Sequence, residues 1–326
     1  MMDRLGFLTG RAARAILILF GVIVLNFVLL RVAPGDPASV LAGDQGAADP
    51  AFVEELRRDL GLDRSIPAQL WVYTKSLAQL DFGQSYREQR PVVGIIAERL
   101  PATLILTLTA FGFALAAGIS LGSMAARHAG SLLDTVLTSV SVMFFAMPLF
   151  WIGLMAILLF SVWLGWLPSY GMATVGADLS GLSYVADIAS HLLLPALTLG
   201  LFYMAIYMRV TRASVLDVLD RDFVRTARAK GLKPGLIWRR HVLRNALLPI
   251  ITFASLQAGH LIGGSILIET VFAWPGIGRL AFDALMQRDY NLLLAIFFIT
   301  SAIVVGINLV ADILYVAADP RIELGA

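Results

Sequence analysis

Apolar residues in this chain are gathered into long runs rather than scattered through short alternating segments. A helix needs roughly 20 predominantly apolar residues to cross the hydrocarbon core of a bilayer. Six runs answer to that: about Ala15–Leu30, Leu100–Ala126, a stretch within Thr135–Ala177, and about Ile188–Met208, Ala246–Ile268 and Asn291–Ala311. The pattern predicts an all-α, polytopic membrane protein with six transmembrane helices. The third run is longer than one span requires and contains Pro148 and Pro168. It reads either as one proline-kinked helix ending near Pro168 or as two spans joined by a tight turn. The choice sets the side of everything that follows.

Charge decides it. Lys and Arg accumulate in cytoplasmic loops. With six spans and the N-terminus inside, the inner segments hold Arg4, Arg11, Arg14, Arg127 and Arg321. They also hold the stretch Arg209–Arg244, with ten Lys/Arg against three Asp, while the two short outer loops hold only Arg279 and Arg288. A seventh span would put that cluster opposite Arg4, Arg11, Arg14 and Arg127. Six spans with cytoplasmic N- and C-termini therefore fit best. Three Arg before an apolar run can also mark a cleaved signal peptide, but this run is long and Arg31-Val32-Ala33-Pro34 is a poor cleavage site, so it reads as an uncleaved span.

The segment Ala33–Glu98 falls outside, with ten acidic and six basic residues. It opens on the turn residues Pro34-Gly35-Asp36-Pro37. Helical periodicity follows at about Pro50–Leu60 and Pro67–Leu80, where Leu70, Tyr73, Leu77 and Leu80 share a face that can pack on the membrane domain. A small helical external segment results, too acidic to be a polybasic lipid anchor. The organisation is then 1–32 (N-terminus and first span), 33–98 (external) and 99–326 (a five-helix core with a cytoplasmic loop at about 211–245).

Composition narrows the function. The chain is 58% hydrophobic and 15% charged; soluble domains carry about 25% charged residues, so a soluble core is excluded. It has no cysteine, which removes disulfides, thiolate metal sites and cysteine nucleophiles. His191 and His260 are too isolated for a metal or acid–base site and read as structural or cavity-lining, so the chain reads as no enzyme. An ion-coupled transporter places ionisable groups inside the membrane, yet the second and third runs carry none. That reading and a channel stand as alternatives. Asn26, Met143, Phe144, Gln257 and His260 are candidates to line a path, each weighed against plain helix packing. Gly112, Gly118, Gly122, Gly259, Gly263 and Gly264 are candidates for close helix approach, and Pro148 for a kink.

The most informative segment is Asp220–Pro249, DRDFVRTARAKGLKPGLIWRRHVLRNALLP. Two short helices are expected, roughly Asp222–Lys230 and Pro234–Asn245, with Gly231 at the left-handed break and Asp220 or Asp222 as N-cap. Topology alone would explain the charge but not the order: small Ala227 and Ala229 would let another surface approach closely. A nucleic-acid partner fits poorly, since Trp238 is the loop's one aromatic after Phe223 and the loop lies at a membrane surface.

Arg225-Thr226-Ala227 followed by Gly231 resembles the Glu-Ala-Ala loop of ABC-transporter permeases, with Arg225 at the Glu position and Thr226 at the first Ala. Those departures resemble the dipeptide/oligopeptide/nickel subfamily, and the large external segment after the first span resembles its "B" type. Arg31–Pro37, Asp81-Phe82-Gly83-Gln84-Ser85, Glu98-Arg99-Leu100-Pro101-Ala102-Thr103, Glu269–Gly278 and Asp319-Pro320-Arg321 also resemble the subfamily, in order along nearly the whole chain. The resemblance implies a multi-pass subunit of the bacterial inner membrane that imports peptides or similar solutes by alternating access. It implies a second homologous permease, two ATPase subunits and an extracytoplasmic solute-binding protein as partners. It also implies that the loop couples to the ATPase through Asp222, Arg225, Thr226, Ala227 and Gly231. Asp81, Gly83, Ser85 and Trp274 are candidates to meet the binding protein, the Trp274-Pro275-Gly276 turn being weighed against a rigid structural element, which is the favoured reading there. The chain has no G-x-x-x-x-G-K-[ST] phosphate loop, so ATP and magnesium are expected in the partner subunits and no cofactor in this one.

Overall fold

The computed structural model describes residues 2–32, 63–85 and 87–318, together with Glu54 and Arg58. The helix expected at 50–60 lies outside the described residues apart from those two, both helical. The regular elements are helices: α1 (Met2–Val32), α2 (Ile66–Ala78), α3 (Val92–Arg127), α4 (Leu132–Ala146), α5 (Leu149–Ala156), α6 (Leu182–Leu219), α7 (Asp222–Ala229), α8 (Arg244–Val271), α9 (Ile277–Met286) and α10 (Tyr290–Ala318). A π-helical stretch Ile157–Trp163 prolongs α5; a single turn Pro234–Leu236 and a π-helical stretch Ile237–Leu243 lead without a break into α8. No strand occurs among the described residues, only one antiparallel bridge between Gln84 and Pro91.

Among the described residues, four helices are long and apolar enough to cross a membrane: Gly10–Leu29 within α1, α3, α6 and Tyr290–Val310 within α10. A fifth candidate is the pair Leu132–Ala146 and Leu149–Trp163, bent by 103°. Here the expected proline kink is a corner. Pro148 has no N–H to continue the ladder from α4, Met147 is extended (ψ 139°), and Pro148 becomes the N-cap of α5. At 1.5 Å per residue each 15-residue limb is about 22 Å long, too short to cross a core of roughly 30 Å alone.

The chain divides into two compact units. One comprises residues 1–99, 280–309 and 323–326. In it the Asn26 amide donates to Leu294 O (3.1 Å), the Phe27 and Tyr73 rings lie 6.1 Å apart, and Ser85 Oγ donates to Asp289 Oδ2 (2.5 Å). Leu77 of α2 is buried as its periodicity required, but Leu80 is exposed: α2 stops at Ala78 and Leu80 turns the chain at φ +58°. Tyr73 loses solvent in this packing, which pushes its phenol up to about 12.

The other unit holds residues 100–279 and 310–322. Its core joins Leu106, Ala110 and Ala114 of α3 to Leu199, Tyr203 and Tyr207 of α6, with Ile268, Phe272 and Trp274. The α3–α6 crossing is close because Gly118 and Gly122 lie one turn apart on one face of α3. A Cβ at Gly118 would come within 2.5 Å of Tyr207 Cβ, and one at Gly122 within 2.7 Å of Thr211 Cβ. Gly200 of α6 does the same against Phe113 and Ala110 of α3. Gly112 and Gly263 are corrections to the expected packing set: nothing lies within 4 Å of a Cβ at either. Gly259 and Gly264 fall outside the residues described at side-chain level.

Candidate functional site

α6 has 38 residues, about 57 Å at 1.5 Å per residue, well beyond the hydrocarbon thickness. Part of it must therefore extend past the apolar zone, and only Asp220 and Arg221 separate its C-terminal end from α7. Arg221 occupies the N-cap of α7 without a side-chain bond, which corrects the expected Asp220 or Asp222 cap. Asp222 is instead the first helical residue, where its charge favours the positive end of the helix dipole; its carbonyl accepts from Thr226 Oγ1 (2.9 Å). Gly231, at φ +73°, ends the helix in the left-handed conformation that costs glycine least. The Gly231 N–H donates to Arg228 O (3.0 Å).

The loop has a core of its own. Val224 and Ala227, one turn apart on α7, are buried against Ala126, Val215, Val218, Ile237, Val242 and Ala246. Ala227 was expected to be a small exposed residue that admits a partner; it faces inward and seats α7 on its own scaffold. The exposed face carries Asp222, Phe223, Arg225, Thr226, Arg228, Ala229 and Lys230. Phe223, a large aromatic left 42% exposed, is the residue that sequence reasoning passed over; an i, i+3 burial pattern with Val224 and Ala227 inward would have found it.

Ion pairs brace the scaffold. Arg212 of α6 grips Asp134 at the head of α4 bidentately, Nε to Oδ1 at 2.7 Å and Nη2 to Oδ2 at 2.8 Å. Asp134 is buried and also accepts from the Gly130 N–H (3.0 Å). A lone acid heading a long uncharged run was the sequence signal for this pair. Higher on the same two helices the Arg209 guanidinium lies 4.3 Å from the centre of the Phe145 ring. Arg221 pairs with Asp217 at 2.7 Å, and the carboxylate raises the guanidinium pKa above its usual value. Arg225 sits 3.8 Å from Asp222 across an exposed surface, a pair worth little in water.

A second constellation joins two of the short sequence segments. The Glu269 carboxylate, fully buried, accepts from Thr103 Oγ1 (2.8 Å), Ser265 Oγ (3.1 Å) and the Arg279 N–H (3.0 Å). Thr103 in turn accepts from the Ile277 N–H (2.7 Å). The carboxylate thus serves as a remote cap for the first turn of α9. Trp274 is fully buried and its indole N–H donates to Ala102 O (2.8 Å). A Cβ at Gly276 would fall on the Glu269 side chain, and one at Gly278 would meet Ile266 Cα at 2.7 Å and Glu269 Oε2 at 2.9 Å.

The remaining candidates are dispersed. The Asn26 amide is occupied by Leu294 in a buried packing bond. Met143 is exposed, Phe144 and Gln257 are half-buried, and the side chain of His260 lies outside the described residues. Of the residues expected to meet a binding protein, Asp81 and Gly83 are exposed, with Asp81 Oδ1 accepting from the Gly83 N–H (3.0 Å). Ser85 and Trp274 are buried and their side chains are turned inward.

Residues 118–324 match the family described as binding-protein-dependent transport system inner membrane component, and residues 4–107 match its N-terminal companion. The chain belongs to this family. It is a multi-pass protein of the bacterial inner membrane, an ABC-transporter permease of the peptide type, as its short segments implied. It is 40% identical to the di/tripeptide transport system permease protein DppB of Pseudomonas aeruginosa, covering 98% of this chain and 99% of that one. It is 41% identical to the glutathione transport system permease protein GsiC of Escherichia coli K12, covering 94% of each. Among solved structures it resembles the inward-facing MetNI methionine ABC transporter, with a TM-score of 0.56 and 17% identity over 70% of this chain and 97% of that one. An amino acid ABC transporter gives a TM-score of 0.50 at 15% identity over 71% and 95%. These last two speak to the fold alone.

Proposed function

We propose that this permease carries short peptides, of the di/tripeptide or glutathione size, inward across the membrane, powered by separate ATPase subunits that dock on α7. The observation that carries this is the rigid basic loop. A short helix is fixed by Val224 and Ala227 to a private core, leaving Phe223, Arg225 and Thr226 outward. A loop needed only for topology requires neither a core nor an exposed aromatic.

The membrane reading behind it has six spans: the four long helices, the bent α4–α5 pair as one broken span, and α8, whose 28 residues make about 42 Å. Exposed Trp163, Trp166, Tyr170 and Tyr184 fall in the stretch of chain that leads into and opens α6; aromatic residues are enriched in this way at membrane interfaces. From Tyr184 to Arg209, where the basic stretch begins, α6 rises about 38 Å, close to a bilayer with its headgroups. In this reading the basic end, with both termini, faces the cytoplasm, where Lys and Arg accumulate.

In this reading ATP and magnesium stay in the two ATPase subunits, a second homologous permease completes the pathway, and an extracytoplasmic binding protein delivers solute near Asp81 and Gly83. Nucleotide-driven closure of the ATPase pair would move α7, and α6 with it. Shifting a two-state equilibrium from 1:99 to 99:1 needs about 5.5 kcal/mol of differential binding, within reach of nucleotide binding. The test is co-purification and solute-stimulated ATP hydrolysis of the reconstituted complex carrying Phe223→Ala with Arg225→Glu. Weakened association and lost stimulation are expected; full association and coupling would refute the docking face. Nucleotide-free uptake by this chain alone, driven by an ion gradient, would replace the reading with a secondary transporter.

A further inference from the structure

A second basic surface lies beyond α7. From Phe223 to Ile268 the chain has seven Lys/Arg and no Asp or Glu. Four of these belong to α7 and its break. The other three, Arg239, Arg240 and Arg244, stand on the π-helical stretch and the first residue of α8, all exposed. None of the three has a carboxylate partner among the described residues.

This helix has two opposite stripes. Val242, Ala246 and Ile250 are buried and hold it to its scaffold. Arg240, Arg244, Leu248 and Ile251 are exposed; the last three recur at i, i+4 and i+7 and so share one face of α8. Along that face the surface changes from guanidinium to exposed aliphatic side chain within one turn, about 6 Å. That spacing matches the step from phosphate to acyl chain in a lipid leaflet. Here the cations give way to exposed aliphatic side chains, Leu248 and Ile251. Beside it, Trp238 is half-buried with the Arg127 guanidinium stacked 5.2 Å from its ring, an interfacial aromatic with a further cation at the same level.

We propose that Arg239, Arg240 and Arg244 at the foot of α8 form a binding site for the headgroup of an anionic phospholipid, whose acyl chains lie along Leu248 and Ile251. Guanidinium is suited to the role because its planar fork meets two phosphate oxygens at once. The proposal rests on the chain's place in the membrane and not on ATPase docking at α7.

The experiment uses the complete transporter complex in nanodiscs of phosphatidylcholine with increasing phosphatidylglycerol, with lipid retained on the purified complex counted by native mass spectrometry. Wild type is compared with Arg239→Gln/Arg240→Gln/Arg244→Gln, with the same three positions changed to Lys, and with Arg228→Gln/Lys230→Gln on α7. An arginine near an anionic surface contributes about a fivefold preference, so the triple Gln variant is expected to lose on the order of 100-fold in phosphatidylglycerol retention. The Lys variant should retain most of it and the α7 variant all of it. Should the triple Gln variant fail to assemble, Arg244→Gln alone, expected to lose about fivefold, carries the same test. Equal phosphatidylglycerol retention by wild type and the Gln variants overturns the proposal, as does loss of ATPase association with lipid retention unchanged, which would assign the surface to the ATPase. Loss of ATPase association in the α7 variant with lipid retained bears on the docking reading and leaves this one intact.

Discussion

Two glycines six residues apart on α3 offer a controlled comparison. Replacing a helix-interior glycine by alanine removes backbone freedom from the unfolded chain and gains about 0.5–1 kcal/mol where there is room. Gly112 has room: nothing lies within 4 Å of a Cβ there. Gly118 does not. The added carbon would sit 2.5 Å from Tyr207 Cβ and 3.1 Å from both Met204 O and Met208 N, whereas carbon atoms in contact settle at about 3.5–4.0 Å. The obstructing atoms are the backbone of α6 and a Cβ fixed to it, so no side-chain rotation relieves the clash; the two helices must part by about 1 Å. Overpacking of that kind costs about 1–3 kcal/mol. Among the described residues no hydrogen bond holds the crossing in compensation, since the Ser123, Tyr207 and Thr211 hydroxyls are buried without partners there, and the contact rests on shape. Gly112→Ala should therefore stabilise the protein slightly and Gly118→Ala should destabilise it. The two should differ by about 1–3 kcal/mol when unfolding is followed by denaturing-detergent titration in mixed micelles. Equal midpoints for the two variants would refute this account of the crossing.

Two further outcomes follow from buried charge. Arg212→Ala leaves Asp134 buried without its cation, which should cost about 3–5 kcal/mol, whereas Asp134→Ala/Arg212→Ala removes both charges and should cost much less; additive losses in the same titration would mean the pair is not a unit. Gly276→Ala drives a methyl onto the Glu269 carboxylate while Gly235→Ala meets nothing within 4 Å, so the first should sharply lower the yield of folded protein in fluorescence-detected size exclusion and the second should leave it unchanged.

The helices were legible because their signal is local and redundant: a long uncharged run such as Leu100–Ala126 has few other solutions once water is absent. The break at Gly231 was legible for the same reason, a backbone preference written in one residue. What was not legible depended on direction. Ala227 and Phe223 are four residues apart on α7, and sequence alone assigned the small one to the surface, because the apolar partners that bury it, Val215, Val218 and Val242, come from two other stretches of chain. Pro148 was read as a kink and is a corner, since its severity depends on Met147 adopting an extended backbone that no local rule imposes. The segments Pro101–Thr103 and Glu269–Gly278 looked like separate marks of kinship; that they are two halves of one buried knot required seeing Thr103 and Glu269 meet.

If an ATPase docks on α7 as proposed, these contacts give a displacement there a route to the bent α4–α5 pair. The eight-residue core under α7 makes the loop move as one body with the last turns of α6, and the two residues between the helices leave little slack to absorb displacement. Arg212 carries that body's motion to α4 through a bidentate bond whose rupture would strand a buried carboxylate. Arg209 on Phe145 and the stacked Phe145–Phe202 pair, 5.5 Å apart, repeat the tie further along the same helices. α4 is thus fastened to α6 from its head to its last turn, while the chain just beyond that turn has no backbone hydrogen bond to carry the ladder across Met147–Pro148. A displacement entering at α7 meets stiff packing throughout α6 and α4 and finds its first compliant joint at that corner.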